Sequence, residues 1–559
     1  MTNHSTTLLR IAIAQMNPIV GDVAGNIAKI YIGHHRATGL GADLIVFPEL
    51  FVSGYLLEDL VSKRAFVQSA RTAVEQLAKK ISDKGPAVLV GTVWPEENEI
   101  YNAVVLLQDG IVKAVRYKTD LPNYGVFDEK RVFAAGPLPN PINFRGVRLG
   151  VPICEDIWNN KVCTFLAKSG AELFLVPNAS PFDRDKPNMR MAVSAARVKE
   201  NKLAMAYVNQ IGGQDELVFD GASFVLNNDA KLVVQLPAWQ EDVALTEWKI
   251  NNYVWNCTKS ERTIIPAHEA AVYHACMTGL RDYVDKNCFP GVVLGLSGGI
   301  DSALVAALAV DAFGKNRVHC VMLPFHFTSE ESLKDAAMCA EALEVRYDII
   351  PIEAPVISLR TTLATMFTGL DACVTEENIQ SRVRGTILMA ISNKFGSLVL
   401  TTGNKSEIAV GYTTLYGDMN GGYNPIKDVY KSEIYKIAAW RNSHVPLSGQ
   451  GPDKAVIPRN ILIKPPTAEL RDNQTDQDNL PPYNILDGIL NCVIEQDMSV
   501  QEIISKGYDK NTVIRVTSLV KAAEHKRRQA APGTKISTKN FGRDRRYPIT
   551  NLFSDNIKK

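Results

Sequence analysis

The sequence lacks any apolar run near the roughly 18 residues needed to cross a bilayer, so no membrane-spanning helix is expected. It also lacks a surplus of either charge: 61 Lys and Arg stand against 60 Asp and Glu, a formal net charge of +1. Without excess cations to displace counterions, a general nucleic-acid or membrane-surface role is not expected. No Cys-x-x-Cys pair occurs, and no cysteine stands with histidines at zinc-ligand spacing. The nine cysteines are an odd number scattered over 559 residues, a pattern of free thiols in a reducing cytoplasm rather than of a disulfide framework. Residues 1–10 are polar before a strand-like run begins, so a signal peptide is not expected. Internal repeats and low-complexity segments are missing as well.

What remains is ordinary globular composition, with room for two large α/β domains. In the first half, strand-like runs are expected at 9–14, 43–47, 87–92, 103–108, 112–117, 147–153, 173–177 and 203–209, with a helix over 26–38. Asp109-Gly110 between two of these runs is a hairpin signal, so antiparallel and parallel pairing are mixed. Residues 239–265 carry no strong periodicity. Beyond them come a helix over 268–286 and strands at 291–296, 319–323, 347–351 and 398–402, with helices over 333–344 and 375–393 between. Such near-continuous apolar strands alternating with helices predict a buried parallel sheet. Residues 473–482 are polar and Pro-rich and read as a mobile loop. The boundary is drawn near 262, giving domains 1–262 and 263–559.

Gly295 and Leu296 end an expected strand, and Ser297-Gly298-Gly299-Ile300-Asp301-Ser302 joins it to a helix running to about residue 313. Glycines let the backbone approach a phosphate, and the helix N-terminus offers unpaired N–H groups with a favourable dipole. The Ser297 and Ser302 hydroxyls can donate to phosphate oxygens, and Asp301 can hold Mg²⁺. A Walker A loop would need a lysine that is missing here. The loop instead resembles that of the N-type ATP pyrophosphatases, and the resemblance implies activation of a carboxylate as an acyl adenylate followed by attack of a nitrogen nucleophile. Asn378 to Arg384, Thr402-Gly403-Asn404-Lys405-Ser406-Glu407, Tyr416-Gly417-Asp418, Lys431 and Pro466-Thr467-Ala468-Glu469-Leu470 follow in an order similar to the NAD synthetase family. By that resemblance Gly295 to Ser302, Thr402, Lys431 and Thr467 bind ATP. Asp301 and Glu407 hold Mg²⁺, and Asn378, Arg382, Glu407 and Lys526 face deamido-NAD⁺. The cations of 525–528 and of Arg543, Arg545 and Arg546 suit a triphosphate and a dinucleotide better than a nucleic-acid patch.

In the first half, Glu49, Lys118 and Cys154 each follow an expected strand. A carboxylate that takes a thiol proton, a thiolate that attacks an amide carbon and a lysine that steadies the tetrahedral anion would make a nucleophilic amidase. Phe47-Pro48-Glu49-Leu50, Tyr117-Lys118 with 127–131, and Ile153-Cys154-Glu155-Asp156 resemble the nitrilase superfamily over about 8–240. The resemblance implies an αββα sandwich, with Glu49 as base, Lys118 as electrostatic partner, Cys154 as nucleophile and Glu129 orienting Lys118. Glutaminase members add Tyr124, Ser180 and Lys186 as glutamine contacts.

The two halves together resemble the bacterial glutamine-dependent NAD synthetase family. The resemblance implies a Rossmann-like parallel sheet in the second domain, and a cytoplasmic homo-oligomeric ligase using deamido-NAD⁺, ATP and glutamine. Another amidotransferase with the same pyrophosphatase loop and a different acid is the alternative. Asparagine synthetase would need a cysteine at residue 2, where Thr2 stands, and GMP synthetase a Gly-x-Cys-x-Gly motif; Cys154 lies in Pro152-Ile153-Cys154-Glu155-Asp156. A silent nucleotide sensor would show a broken triad or loop, and both are intact.

Overall fold

A computed structural model describes residues 7–81, 85–472 and 474–553. The chain divides into two compact units, 1–214 with 218–266, and 215–217 with 267–559.

In the first unit, strands with apolar residues on both faces are buried on both, which forces a layered arrangement. Two seven-stranded sheets form. In one, Leu8–Gln15, Leu44–Val46 and Ala87–Glu96 pair in parallel at the centre, while Glu99–Gln108 and Ile111–Tyr117 extend it antiparallel. The Asp109-Gly110 hairpin closes with both residues at positive φ, as its sequence predicts. In the other, Val147–Gly150, Leu173–Asn178 and Met205–Asn209 are the parallel centre. Leu9, Ile11 and Ile13 share a core with Leu149, Leu173, Leu175 and Val208 of the second sheet. Amphipathic helices cover the outer faces: Arg64–Lys80 lies on the first sheet, and Asn160–Lys168 with Lys186–Asn201 on the second. The result is the expected αββα sandwich.

The stretch 239–265 differs from its expectation. Asp242–Asn251 pairs along the whole of Leu8–Gln15, and Val254–Cys257 and Glu261–Arg262 add further strand. The alternation is obscured because Thr246 fills a buried position. Its hydroxyl donates to the Ile11 carbonyl at 2.7 Å and accepts from Trp248 Nε1 at 2.8 Å, so a polar residue satisfies an interior site.

The second unit holds a four-stranded parallel sheet in the order Arg346–Ile349, Val318–Met322, Val292–Gly295, Leu398–Leu400. The chain steps outward from Val292–Gly295 and then returns to its other side. That reversal opens a crevice at the strand C-termini, the usual place for a ligand in such sheets. The helix Ile300–Phe313 is covered all round: every residue except Asp301 is buried, including Asp311, which pairs with Arg441. A second core forms where Tyr483–Ile494, Val500–Ser505 and Lys510–Ala522 pack beside Lys405–Val410. In the stretch 473–482, residue 473 lies outside the described residues, and Asp476–Asp478 forms a short 3-10 turn capped by Thr475.

Candidate active sites

In the first unit, the Leu44–Val46 strand leads into Pro48-Glu49-Leu50, which lies against Gly91. A Cβ at 91 would stand 2.2 Å from the Leu50 nitrogen, so only glycine permits this approach. Glu49 and Lys118, at the ends of adjoining strand systems, are wholly buried and meet at 2.7 Å. Lys118 Nζ also donates to Glu129 at 2.8 Å, and Asn102 Nδ2 donates to Glu49 at 2.7 Å. Tyr55 donates to Glu129 at 2.9 Å. Cys154 opens a 3-10 turn with φ at 44°, a left-handed conformation that few non-glycine residues adopt. Asp156 holds that turn to the loop after Lys118, accepting from Ile153 N at 3.0 Å, Thr119 N at 3.0 Å and Asp120 N at 2.7 Å.

Two carboxylates face one ammonium here. Burial works against the Lys118 charge, but Glu129 and Glu49 outweigh it and hold the ammonium well above its usual range. Burial and the Glu49 charge push the Cys154 thiol well up, so the resting site holds a protonated thiol beside a carboxylate able to take its proton. The Ala179 N–H donates to Glu49 at 3.0 Å and also reaches the Cys154 sulfur.

The other residues of this half gather nearby. Tyr124 donates to Glu155 at 3.0 Å, and Lys186 lies over the Trp158 ring at 4.3 Å. Both lie close enough to Cys154 to sense its ionisation. Burial lowers the Lys186 pKa. Ser180 accepts from Arg190 Nε at 3.0 Å through its hydroxyl and donates its N–H to Asn209 at 2.9 Å. Sequence reasoning missed Asn102, Tyr55 and Asp156 in this cluster. Asn102 carried a signal: a polar side chain facing the interior from an apolar strand.

In the second unit, the crevice is a cavity of about 310 Å³. Gly295, Leu296, Ser297, Gly299, Ile300, Asp301 and Ser302 form one wall, with Thr402, Glu407, Lys431 and Thr467 around it. Ser302 Oγ ties the loop together, accepting from Ser297 N at 3.2 Å and donating to the Gly299 carbonyl at 3.0 Å. Gly298 has φ at 79°, and a Cβ there would stand 2.3 Å from the Ser332 carbonyl oxygen. Gly298→Ala is therefore expected to cost about 1–3 kcal/mol. At Gly295 the nearest atom to an added Cβ is Leu388 Cδ1 at 3.6 Å, an ordinary contact. Chemical denaturation of both alanine variants checks this, the 298 variant being much the less stable.

Lys431 ion-pairs with Asp301 and with Glu407, the latter at 3.3 Å. Asn404 caps Lys405–Val410 through Glu407 N and donates to Asp301 at 3.0 Å, which binds the loop helix to the next strand's helix. Burial, opposed by Lys431 and reinforced by Asp301, pushes the Glu407 carboxyl up to about 8. Burial disfavours the Lys431 charge, yet Asp301 and Glu407 overcome this and raise its pKa. Asn378, Arg382 and Lys526 stand outside the cavity wall. All three grip the 411–415 stretch: Asn378 accepts from Thr414 at 2.9 Å, Arg382 donates to the Leu415 carbonyl at 3.2 Å, and Lys526 donates to the Gly411 and Thr413 carbonyls at 2.8 and 2.7 Å. Lys464 and Asp476, which sequence reasoning missed, also line the cavity, as do Arg384 and Glu469, which it quoted within motifs without giving them a role. Among the described residues, no group of three or more His, Cys, Asp or Glu is arranged to hold a metal. No helix among them is long and apolar enough to cross a membrane.

The carbon-nitrogen hydrolase family model matches residues 10–253, and the NAD synthase model matches residues 272–530. The glutamine-dependent NAD(+) synthetase of Rhodobacter capsulatus is 48% identical over 98% of this chain and 100% of that protein. The chain belongs to the glutamine-dependent NAD(+) synthetases. The synthetase of Thermotoga maritima is 43% identical over 98% of this chain and 99% of that protein. Among solved structures, the glutamine-dependent NAD⁺ synthetase of Acinetobacter baumannii, in complex with ADP, superposes with a TM-score of 0.76. It is 40% identical, over 98% of this chain and 100% of that one. Both sites thus lie inside segments matched by their own family, and the synthetase family joins the two.

Proposed function

We propose that this chain makes NAD⁺ from deamido-NAD⁺, ATP, glutamine and water, releasing AMP, pyrophosphate and glutamate. The observation that carries the reading is the presence on one chain of a buried thiol–lysine–carboxylate cluster and a glycine-loop crevice with Asp301, Glu407 and Lys431.

In the first domain, taken as 1–262, Glu49 accepts the Cys154 proton as the sulfur attacks the glutamine amide carbon. Lys118 steadies the developing oxyanion, and Glu129 holds Lys118 in place. Tyr124, Ser180 and Lys186 hold the amino-acid end of glutamine. Ammonia leaves, and water then releases glutamate from the sulfur.

In the second domain, taken as 263–559, Ser297 to Ser302, with Gly295 and Leu296 behind them, hold the β,γ-phosphates, and Thr402, Lys431 and Thr467 hold the rest of ATP. Asn378, Arg382, Glu407 and Lys526 position deamido-NAD⁺, with Asn378, Arg382 and Lys526 acting through the 411–415 stretch that they hold. The site fits Mg²⁺, because two carboxylates oppose one ammonium and this ion takes one or two carboxylates plus phosphate oxygens. Asp301 and Glu407 would hold it, and when bound it neutralises phosphate charge. Nine cysteines without a disulfide support a cytoplasmic setting, and the family resemblance supports a homo-oligomer.

Incubating the purified protein with ATP, Mg²⁺, deamido-NAD⁺ and glutamine should yield NAD⁺, AMP and glutamate in equal amounts. Amination of another acid with deamido-NAD⁺ ignored would overturn the substrate assignment.

A further inference from the structure

Arg384 occupies an unusual electrostatic position. It sits on Val374–Phe395, two residues beyond Arg382, and lines the same cavity as the glycine loop. Its Nε donates to the carbonyl of Leu323, at the C-terminal end of the Val318–Met322 strand, at 2.9 Å. That bond ties the guanidinium to a strand end that also lines the cavity. A guanidinium carries five N–H donors, and this bond uses one. Among the described residues no carboxylate ion-pairs with it, although Asp301, Glu407 and Lys431 form a paired cluster in the same cavity. Burial lowers the Arg384 pKa to about 10, with Glu469 and Asp418 opposing only from a distance.

A desolvated cation without a counter-charge is costly, and such cations in protein sites are paired when the site is filled. We propose that Arg384 is a further substrate-contacting residue, whose guanidinium receives an anionic oxygen of the reacting pair: the α-phosphate of ATP or the carboxylate of the acid. This rests on the function proposed above. In the step concerned, a carboxylate oxygen of deamido-NAD⁺ bonds to the α-phosphorus and the bond from that phosphorus to the bridging oxygen breaks. Pyrophosphate leaves with that electron pair, and no proton is transferred. Negative charge redistributes at both candidate oxygens, where a fixed planar cation is most effective.

The test uses full-length Arg384→Ala and Arg384→Lys with ammonium as nitrogen source, so that the first site is not involved. Arg384→Ala should lose about 100-fold or more in NAD⁺ formation. Added guanidinium ion should restore at least part of this loss, a readout that a packing role would not move. A rise confined to KM for deamido-NAD⁺ assigns the contact to the carboxylate. A fall in ATP–pyrophosphate exchange at unchanged KM values assigns it to the α-phosphate. Activity of Arg384→Ala within about threefold of wild type, or a loss that guanidinium leaves untouched while Arg384→Lys is equally inactive, overturns the proposal. Wild-type protein that forms no NAD⁺ at all refutes the underlying function instead, and is seen before any variant is made.

Discussion

Cys154→Ala is expected to lose glutamine-dependent NAD⁺ formation by about 1,000-fold or more, while NAD⁺ formation from ammonium salts stays within about twofold of wild type. The physical reason is the separation of labour between the two sites. Removing the sulfur deletes the proposed nucleophile, and neither neighbour of Glu49 is fit to accept the acyl group in its place: Lys118 is held as an ammonium by Glu129 and Glu49, and Tyr55 is held neutral by burial and by the same carboxylates. The exchange is also mild structurally, since the thiol is buried and alanine fills most of its volume without adding a polar group. Steady-state assays with each nitrogen source, on one preparation, measure both arms. Retention of glutamine use by the variant would place the amidase chemistry elsewhere.

Lys431→Met should behave in the opposite sense: activity falls by about 100-fold or more whichever nitrogen source is given. The ammonium is 3% exposed and bridges Asp301 and Glu407, so its loss removes the proposed phosphate contact and leaves two carboxylates sharing a small space. The Glu407 carboxyl, already pushed up by burial, would be pushed up further without the opposing Lys431 charge. Breaking a buried pair also costs about 3–5 kcal/mol, so a lower Tm is expected alongside the kinetic loss. Lys431→Arg keeps the charge with a different shape and should recover the Tm more fully than the rate. The decisive measurement is ATP–pyrophosphate exchange, which reports the adenylation step alone. Exchange within tenfold of wild type in Lys431→Met would remove Lys431 from that step.

Much of this molecule was legible before its structure, and the reasons are local. Strands such as Leu8–Gln15 and Val292–Gly295 are apolar on both faces because both faces are covered, and such runs stand out against any background. The glycine loop was legible because its chemistry demands consecutive residues. Glu49, Lys118 and Cys154 were legible through the short words around them, each placed at a strand end. Asn102 and Asp156 were not, because their roles exist only after distant segments meet: Asp156 joins 119–120 to 153 through backbone N–H groups that any residue could supply. The Asp242–Asn251 strand was hidden for a related reason. Its buried Thr246 is satisfied by partners at Ile11 and Trp248, and a hydroxyl that has found its partners inside looks, in sequence, like one facing water. The helices around Tyr483–Ile494 escaped because their apolar stripe packs against other helices rather than the sheet that organised the reading.

The helix that begins at Ile300 has a consequence for variation along the chain. Surface helices usually keep one face free to drift, so their tolerated substitutions recur with the helical period. Here every residue from Ser302 to Phe313 is covered, and five of the fourteen positions are buried alanines. A library scan of this segment should therefore show an unbroken block of intolerance rather than stripes. At Asp301, paired with Lys431, and at buried Asp311, paired with Arg441, charge limits substitution as well as shape.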